Sequence, residues 1–218
     1  MPRIIDVLLS ILALLVLFPL FMPIIIILLL TGEHKVFYLQ NRVGYKNKNF
    51  KIIKFATMLS NSSNMGSGSL TLKNDPRVLP FGTFLRKTKI NELPQILNII
   101  IGDLSIVGPR PQMQVDFEKY SDDVKKKIYN VRPGLTGIGS IIFRDEESLI
   151  SLAATDEDPH KFYKRVIAPY KGELEMWYQS NRSLSLDLQL IFMTAWAIVV
   201  PETRVYEKWF KDLPTRSS

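Results

Sequence analysis

No cysteine occurs in this 218-residue chain, and histidine occurs only at His34 and His160. The first absence excludes disulfides, thiolate zinc sites and cysteine nucleophiles. The second leaves little from which to build a Ser-His-Asp triad. The two imidazoles lie far apart in sequence and read as surface residues, not as ligands or bases. No nucleic-acid-binding motif accompanies the basic charge. The formal +7, from 28 basic and 21 acidic residues, therefore points to lipid headgroups or nucleotides ahead of nucleic acid. No internal repeat is evident. Charge is also missing from one long stretch: between Ile4 and Leu30 the only charged residue is Asp6.

That stretch is almost wholly apolar. A helix over it, at about 1.5 Å per residue, would be roughly 40 Å long and could cross a bilayer. Pro19 and Pro23 interrupt it, and interior prolines remove hydrogen bonds, so a kink or break near its middle is expected. Both a straight span and a hairpin returning to the same face fit this pattern. A cleaved signal peptide fits less well, because the run is long and Thr31-Gly32-Glu33 offers no Ala-x-Ala site. A buried helix of a soluble protein fits less well still, since Leu8–Leu30 has no polar face. Arg3 before the segment, and Lys35, Arg42, Lys46 and Lys48 after it, favour a hairpin with both ends in the cytoplasm. Residues 1–32 then form a re-entrant membrane helix, and residues 33–218 are enough for one compact cytoplasmic domain.

Within that domain, Lys35–Leu39 and Phe50–Phe55 read as short strands joined through a turn at Gly44 to Asn49. Asn61–Ser69, rich in Ser, Asn and Gly, reads as a mobile loop or a linker. Phe81–Lys87 is amphipathic. Asn91–Ile101 is the strongest soluble helix, with Asn91 as N-cap, Glu92 complementing the dipole, Pro94 in the first turn and Gly102 ending it. Val115–Asn130 reads as a charged helix, Val131–Phe143 as turns and short extended pieces, and Pro159–Arg182 as largely helical. Leu186–Val200 is apolar but too short to span, so it belongs in the core or flat at the interface. Trp196, Tyr206, Trp209 and Phe210, with Lys208 and Lys211, read equally as interfacial anchors or as core aromatics.

Candidate chemistry gathers around the Asn91 helix. Lys54 follows a strand, Arg86-Lys87 precede the helix, and Gly108-Pro109-Arg110-Pro111 follow it. Free N–H groups at a helix start favour anions, and guanidinium binds phosphate bidentately, so Arg86 and Arg110 would make a phosphate clamp there. Glu92 beside such a clamp can hold a divalent cation, since magnesium commonly takes one or two carboxylates plus substrate phosphates. Each piece alone is a weak signal. Arg110 between prolines also suits a rigid surface turn, and Glu92 also suits a simple dipole partner.

Taken in order, the pieces are specific. Phe37-x-x-Gln40-x-Arg42-x-Gly44, Lys54-Phe55-x-Thr57-Met58, Asp75-Pro76-Arg77 and Leu85-Arg86-Lys87-Thr88 come first. Glu92-Leu93-Pro94-Gln95, Gly102-Asp103-x-Ser105-x-Val107-Gly108-Pro109-Arg110-Pro111, Arg132-Pro133-Gly134-x-Thr136-Gly137 and Ser183-Leu184-x-Leu186-Asp187-Leu188 follow. Over nearly its whole length the chain closely resembles the minimal members of the bacterial sugar transferase family, the monotopic polyprenyl-phosphate phosphoglycosyl transferases. The resemblance implies a helix-rich α/β (α+β) monotopic membrane protein with a broken re-entrant N-terminal helix, a small catalytic domain and interfacial amphipathic helices. The family's break lies at a Ser-Pro pair; here Pro19 matches the proline and Phe18 replaces the serine.

The implied reaction moves a phosphosugar from a UDP-sugar to undecaprenyl phosphate and releases UMP, at the cytoplasmic face of the bacterial inner membrane. The implied site is Asn91 and Glu92 as the catalytic pair, Lys54, Arg86 and Arg110 on phosphates, and Mg2+ on Glu92. Membrane lipids are further partners, and a homodimer is compatible with the resemblance. One departure bears on mechanism: the family reads Leu-Asp-Glu-Leu-Pro-Gln, and this chain reads Ile90-Asn91-Glu92-Leu93-Pro94-Gln95. The family's aspartate attacks the β-phosphate to give a covalent phosphosugar-enzyme, whereas Asn91 is a neutral amide and a poor nucleophile. Three readings stay open here: attack by Glu92, direct attack by the lipid phosphate, or a silent form that binds UDP-sugar and recruits other proteins. Lys89, where the family commonly has Ser, and Ala56 are milder departures that could alter sugar or nucleotide contacts.

Overall fold

The computed structural model of the protein describes residues 1–66, 68–200 and 205–215. Helix α1 (Arg3–Leu30) carries through Pro19 and Pro23 instead of ending between them. Each proline removes one donor from the ladder, and the bonds on either side keep the helix continuous. Asp6, Ser10, Phe21, Ile24 and Leu28 are buried along one stripe, with Leu14 and Leu17 half-buried between them. Leu8, Leu12, Leu15, Val16 and Phe18 are exposed. The helix is thus docked by one face and bare on the others.

Both ends of α1 are fixed to the same body. At the start, Arg3 Nη2 donates to the Ile100 carbonyl at 3.0 Å, and Asp6 accepts from the Ile106 N–H at 3.0 Å and the Ser105 hydroxyl at 2.8 Å. Toward the other end, Phe21, Ile24 and Leu28 pack with Phe55 and Leu85, the Phe21 and Phe55 rings meeting edge-on at 5.4 Å.

Strands β1 (Phe37–Val43) and β2 (Asn49–Phe55) form an antiparallel hairpin in which Tyr38 opposes Lys54. The Ser/Asn/Gly-rich segment that follows is tied down by Arg77. Its guanidinium donates to the carbonyls of Ser62, Met65, Gly68 and Leu70 while paired with Asp75. Helix α2 (Pro80–Lys87) covers the expected amphipathic segment. The next helix differs from expectation. Ile90–Glu92 is a 3-10 turn, and α3 (Gln95–Ile101) begins only after Pro94. Lys89, in the left-handed region at φ 61°, turns the chain before Asn91, so Asn91 caps nothing. Gly102, at φ 116°, ends α3 as expected.

Strand β3 (Ser105–Val107) follows. The single charged helix expected over Val115–Asn130 is instead two short ones, α4 (Gln114–Phe117) and α5 (Asp122–Lys127). Ser121 makes the division, its hydroxyl accepting from the Val124 N–H as the N-cap of α5. Strand β4 (Gly134–Thr136) pairs parallel to β3, and α6 (Ile138–Ile142) forms where only turns and extended pieces were expected. Next come α7 (Glu146–Ala153), α8 (Pro159–Phe162), a π-helical turn at Tyr163–Ile167, and α9 (Ala168–Ser180). The chain continues with α10 (Leu184–Val199) and α11 (Val205–Trp209).

The main core gathers Val107, Tyr129, Ile138, Tyr163, Leu174, Tyr178 and Leu190. Helix α10 is both core and surface. It buries Leu186, Leu190 and Met193 and exposes Leu188, Phe192 and Trp196. Phe192 stacks on Trp196 and meets Trp209, whereas Phe210 is buried against Trp177. The architecture is a helix-rich α/β fold with one long apolar N-terminal helix.

Candidate active site

Three elements converge on Glu92. Along β2 side chains alternate, so Phe55 packs toward α1 while Lys54 points to the other face. Asn98 of α3 fixes the strand against the helix: its Oδ1 accepts from the Ile53 N–H at 2.9 Å and its Nδ2 donates to the Lys51 carbonyl at 2.8 Å. Glu92 stands at the end of the 3-10 turn just before α3. Arg110 comes from the turn after β3, which passes very close to the 132–134 segment; a Cβ on Gly108 would lie 2.4 Å from the Arg132 carbonyl oxygen. The backbone of Arg110 is clamped from both sides. Its N–H donates to Glu175 Oε1 at 3.4 Å, and its carbonyl accepts from the Tyr129 hydroxyl at 2.9 Å.

The result is a compact ionic cluster. Glu92 Oε1 lies 3.0 Å from Lys54 Nζ and 2.5 Å from Arg110 Nη2, and Glu92 Oε2 lies 3.2 Å from Arg110 Nη1. This is a bidentate guanidinium fork with an ammonium at its side. Burial pushes the Glu92 carboxyl up, but Arg110 and then Lys54 outweigh it and hold the group well below the usual carboxylate range. Arg110 in turn is raised by Glu92. Burial lowers Lys54 to about 8 against the pull of Glu92. Lys89 and Arg42 are also lowered, each chiefly by burial. Asp116, Glu147 and Glu146 act on Arg42, Lys89 and Arg110 from the periphery, and Glu92 is the carboxylate in direct contact with Lys54 and Arg110.

The sequence-predicted residues divide. Lys54, Glu92 and Arg110 come together. Arg86 is held apart from them, paired with Glu147 of α7 and touching Met58 Sδ at 3.8 Å. Asn91 is 5% exposed, and its Oδ1 has no hydrogen-bond partner among the described residues. His34 Nδ1 bonds to the Leu29 carbonyl, and His160 Nδ1 lies 3.0 Å from Lys119 Nζ.

Sequence reasoning missed several contributors. Arg42 lay in plain view within a motif; it donates to Gln40 and to the Pro111 carbonyl and so braces the Arg110 turn. Lys171 and Glu175 of α9 are 2% and 1% exposed. Lys171 pairs with Glu146 at 2.6 Å and lies over the Phe143 and Tyr163 rings. Burial pushes the Glu175 carboxyl up to about 8. Their four-residue spacing puts both on one helix face, a signal hidden among neighbouring charges.

The chain thus combines a long apolar helix, compatible with a membrane anchor, with a carboxylate-centred cationic cluster. The chain belongs to the bacterial sugar transferase family, whose pattern matches residues 1–201. It is 35% identical over 207 residues to the exopolysaccharide production protein ExoY of Sinorhizobium fredii, spanning 88% of this chain and 83% of that protein. It is 33% identical to an undecaprenyl-phosphate galactose phosphotransferase of Salmonella typhimurium, over 72% of this chain and 32% of that protein. It is 31% identical to a UDP-glucose:undecaprenyl-phosphate glucose-1-phosphate transferase of Xanthomonas campestris, over 91% of this chain and 38% of that protein.

Proposed function

We propose that this chain is a polyprenyl-phosphate phosphoglycosyl transferase that moves a sugar phosphate from a UDP-sugar to undecaprenyl phosphate and releases UMP. The observation that carries this reading is the Glu92–Lys54–Arg110 cluster, a site with more cationic than anionic charge in a member of this family. Two anionic substrates must be brought together against their mutual repulsion, and positioning with charge neutralisation is most of phosphoryl-transfer catalysis. Arg110 offers a planar fork to phosphate oxygens, and Lys54 offers a point charge.

Magnesium fits the donor set in one mode. Glu92 is a single central carboxylate, and among the described residues no group of three or more His, Cys, Asp or Glu forms a cage. An ion carried in with the diphosphate would share Glu92 by displacing Lys54 or Arg110 from one of its oxygens. When bound, it would supply further neutralisation at the phosphoryl oxygens.

The proposed chemistry is direct displacement. An oxygen of the lipid phosphate attacks the β-phosphorus of the UDP-sugar and forms a new P–O bond. The bond from that phosphorus to the bridging oxygen breaks, and UMP leaves with the electron pair. Two features of the chain favour this route over a covalent enzyme intermediate. Asn91 is a neutral, buried amide, and both oxygens of Glu92 are engaged by cations, which blunts it as a nucleophile.

The test is UMP release from a panel of UDP-sugars with Mg2+, with and without undecaprenyl phosphate, beside Asn91→Asp and Glu92→Ala. UMP should appear only when the lipid is present. A stoichiometric burst without lipid would replace direct displacement by attack from Glu92. Silence in this chain, with turnover in Asn91→Asp, would overturn the activity and identify a missing nucleophile.

We also propose that α1, continuous through its prolines, is a re-entrant segment at the cytoplasmic face of the inner membrane. Basic residues on both flanks and the docking of both its ends on one body support this. The exposed Leu188, Phe192, Trp196 and Trp209 then rest on the same surface. The cysteine-free chain makes the check simple: Ile4→Cys and Lys35→Cys should label from the same membrane side.

A further inference from the structure

Between the end of α1, the open end of the β1–β2 hairpin and the start of α2 lies a cavity of about 260 Å3. Leu28, Phe37, Tyr38, Ala56, Leu79 and Phe81 supply its walls. The polar groups at its rim are satisfied by one another. Glu33 accepts from the N–H and the hydroxyl of Ser60, and Lys35 Nζ donates to the same hydroxyl at 2.8 Å. What remains for a ligand is an apolar surface.

Two connections join this cavity to the cationic cluster. Tyr38 stands directly opposite Lys54 in the ladder, and opposed residues of an antiparallel pair share a face. The apolar wall therefore begins one side chain away from the Lys54 ammonium. Met58, also in the lining, touches the guanidinium of Arg86, the cation that the Glu92 cluster leaves aside. At the opposite end, Leu28 and Gly32 bring the cavity to the tip of the apolar helix. Gly32 sits at φ 60°, and a Cβ there would come within 2.9 Å of Leu79 Cδ1.

We infer that this cavity holds the first isoprene units of the acceptor lipid, with its phosphate toward Lys54. The inference rests on the acceptor proposed above and adds where its hydrocarbon lies. The reason is the abruptness of the polar-to-apolar change. In a polyprenyl phosphate the hydrocarbon starts at the carbon that bears the phosphate ester. A glycerophospholipid interposes a glycerol unit and ester groups between its phosphate and its chains. A lining in which Tyr38 opposes Lys54 and Met58 meets Arg86 matches the first chemistry. The lining reaches Leu28 and Gly32 at the end of the apolar helix, from which a long chain would continue toward the bilayer. Ala56 is then part of the lipid's wall and not a sugar or nucleotide contact.

The experiment uses the full chain in nanodiscs of phosphatidylethanolamine and phosphatidylglycerol. The probe is a polyprenyl phosphate carrying a diazirine on an isoprene unit close to the phosphate, mapped by peptide mass spectrometry after photolysis. Labels should fall within residues 28–38, 56–58 and 79–81. Excess unlabelled polyprenyl phosphate should suppress them, and added phosphatidylglycerol should not. Ala56→Phe, which fills the cavity, should cut labelling at least tenfold while UDP-sugar affinity stays within twofold; Leu79→Trp serves if that variant does not fold. Labels elsewhere, or equal suppression by phosphatidylglycerol, would overturn the assignment. The two proposals fail separately. UMP release without labels here defeats the cavity, and specific labels without UMP release defeat the transferase reading.

Discussion

Replacing Glu175 by glutamine should change how stability depends on pH. The carboxyl is 1% exposed; Oε1 accepts from the Arg110 N–H, and Oε2 has no partner among the described residues. Burial raises its pKa from the ordinary 4.5 to about 8. Between those values the unfolded chain has released the proton and the folded chain still holds it. Stability from this group is therefore complete below pH 4.5, falls as pH rises, and levels off above about 8. The slope is about 1.4 kcal/mol per pH unit inside the window. Glutamine keeps the acceptor for Arg110 and cannot ionise, so it removes the slope and leaves the geometry. Between pH 6 and pH 8 the stability of Glu175→Gln relative to the unmodified chain should rise by about 2–3 kcal/mol. Chemical unfolding in detergent, followed by tryptophan fluorescence at a series of pH values, measures the gap. Other titrating groups contribute to both proteins and cancel in the difference. A gap that stays constant across this range would show that Glu175 is not held protonated by burial.

Arg110→Lys keeps the charge but loses the fork, and turnover should fall about 10- to 100-fold, as removal of a charged hydrogen bond of about 1.5–3 kcal/mol implies. Lys54, lowered to about 8 by burial, should lose its charge as pH passes that value. UDP-sugar affinity should weaken there, and Lys54→Arg should carry it to higher pH. Asn98→Leu removes the bonds to Ile53 N–H and the Lys51 carbonyl, leaving two backbone groups without partners. A loss of about 2–6 kcal/mol in unfolding free energy is expected, at about 1–3 kcal/mol for each unsatisfied group. Tyr129→Phe takes the partner from the Gln112 N–H and leaves the Arg110 carbonyl only its 3.3 Å bond from Gln112 Nε2. It should raise KM for the UDP-sugar more than it lowers thermal stability, because Arg110 loses its aim.

The cluster of Lys54, Glu92 and Arg110 was legible because each residue sits in a short ordered motif and each carries the charge its role needs. Arg86 was legible as a phosphate-binding residue but not as the partner of Glu147, which is 61 residues away and reaches it only through the placement of α7. The misreading of Asn91 as a cap has a local cause. The residue type is right for a cap, but Lys89 adopts a left-handed conformation that composition does not announce, and the turn it makes consumes Asn91. Ser121, followed by two acidic residues, did carry a start signal for α5; continuous charge on both sides concealed it. On α9 nothing in the sequence marked Lys171 and Glu175 as buried, since burial there depends on α6 and the Arg110 turn closing over them. In α1 nearly every side is apolar, so no pattern distinguished the face that docks from the faces that do not.

That docking has a practical corollary. The stripe from Asp6 to Leu28 is as much a part of the protein's interior as α3 is, because it closes over Phe55 and Leu85 and supplies the acceptor for the Ile106 N–H. Cutting the chain after Leu30 would not yield a soluble catalytic fragment. It would strip the cover from an aromatic and leucine surface and leave the Ile106 N–H and the Ser105 hydroxyl bare, and the product should aggregate. Replacing the segment with an unrelated membrane helix of equal hydropathy should fail in the same way. Studies of the catalytic domain therefore require the intact chain in a lipid or detergent environment.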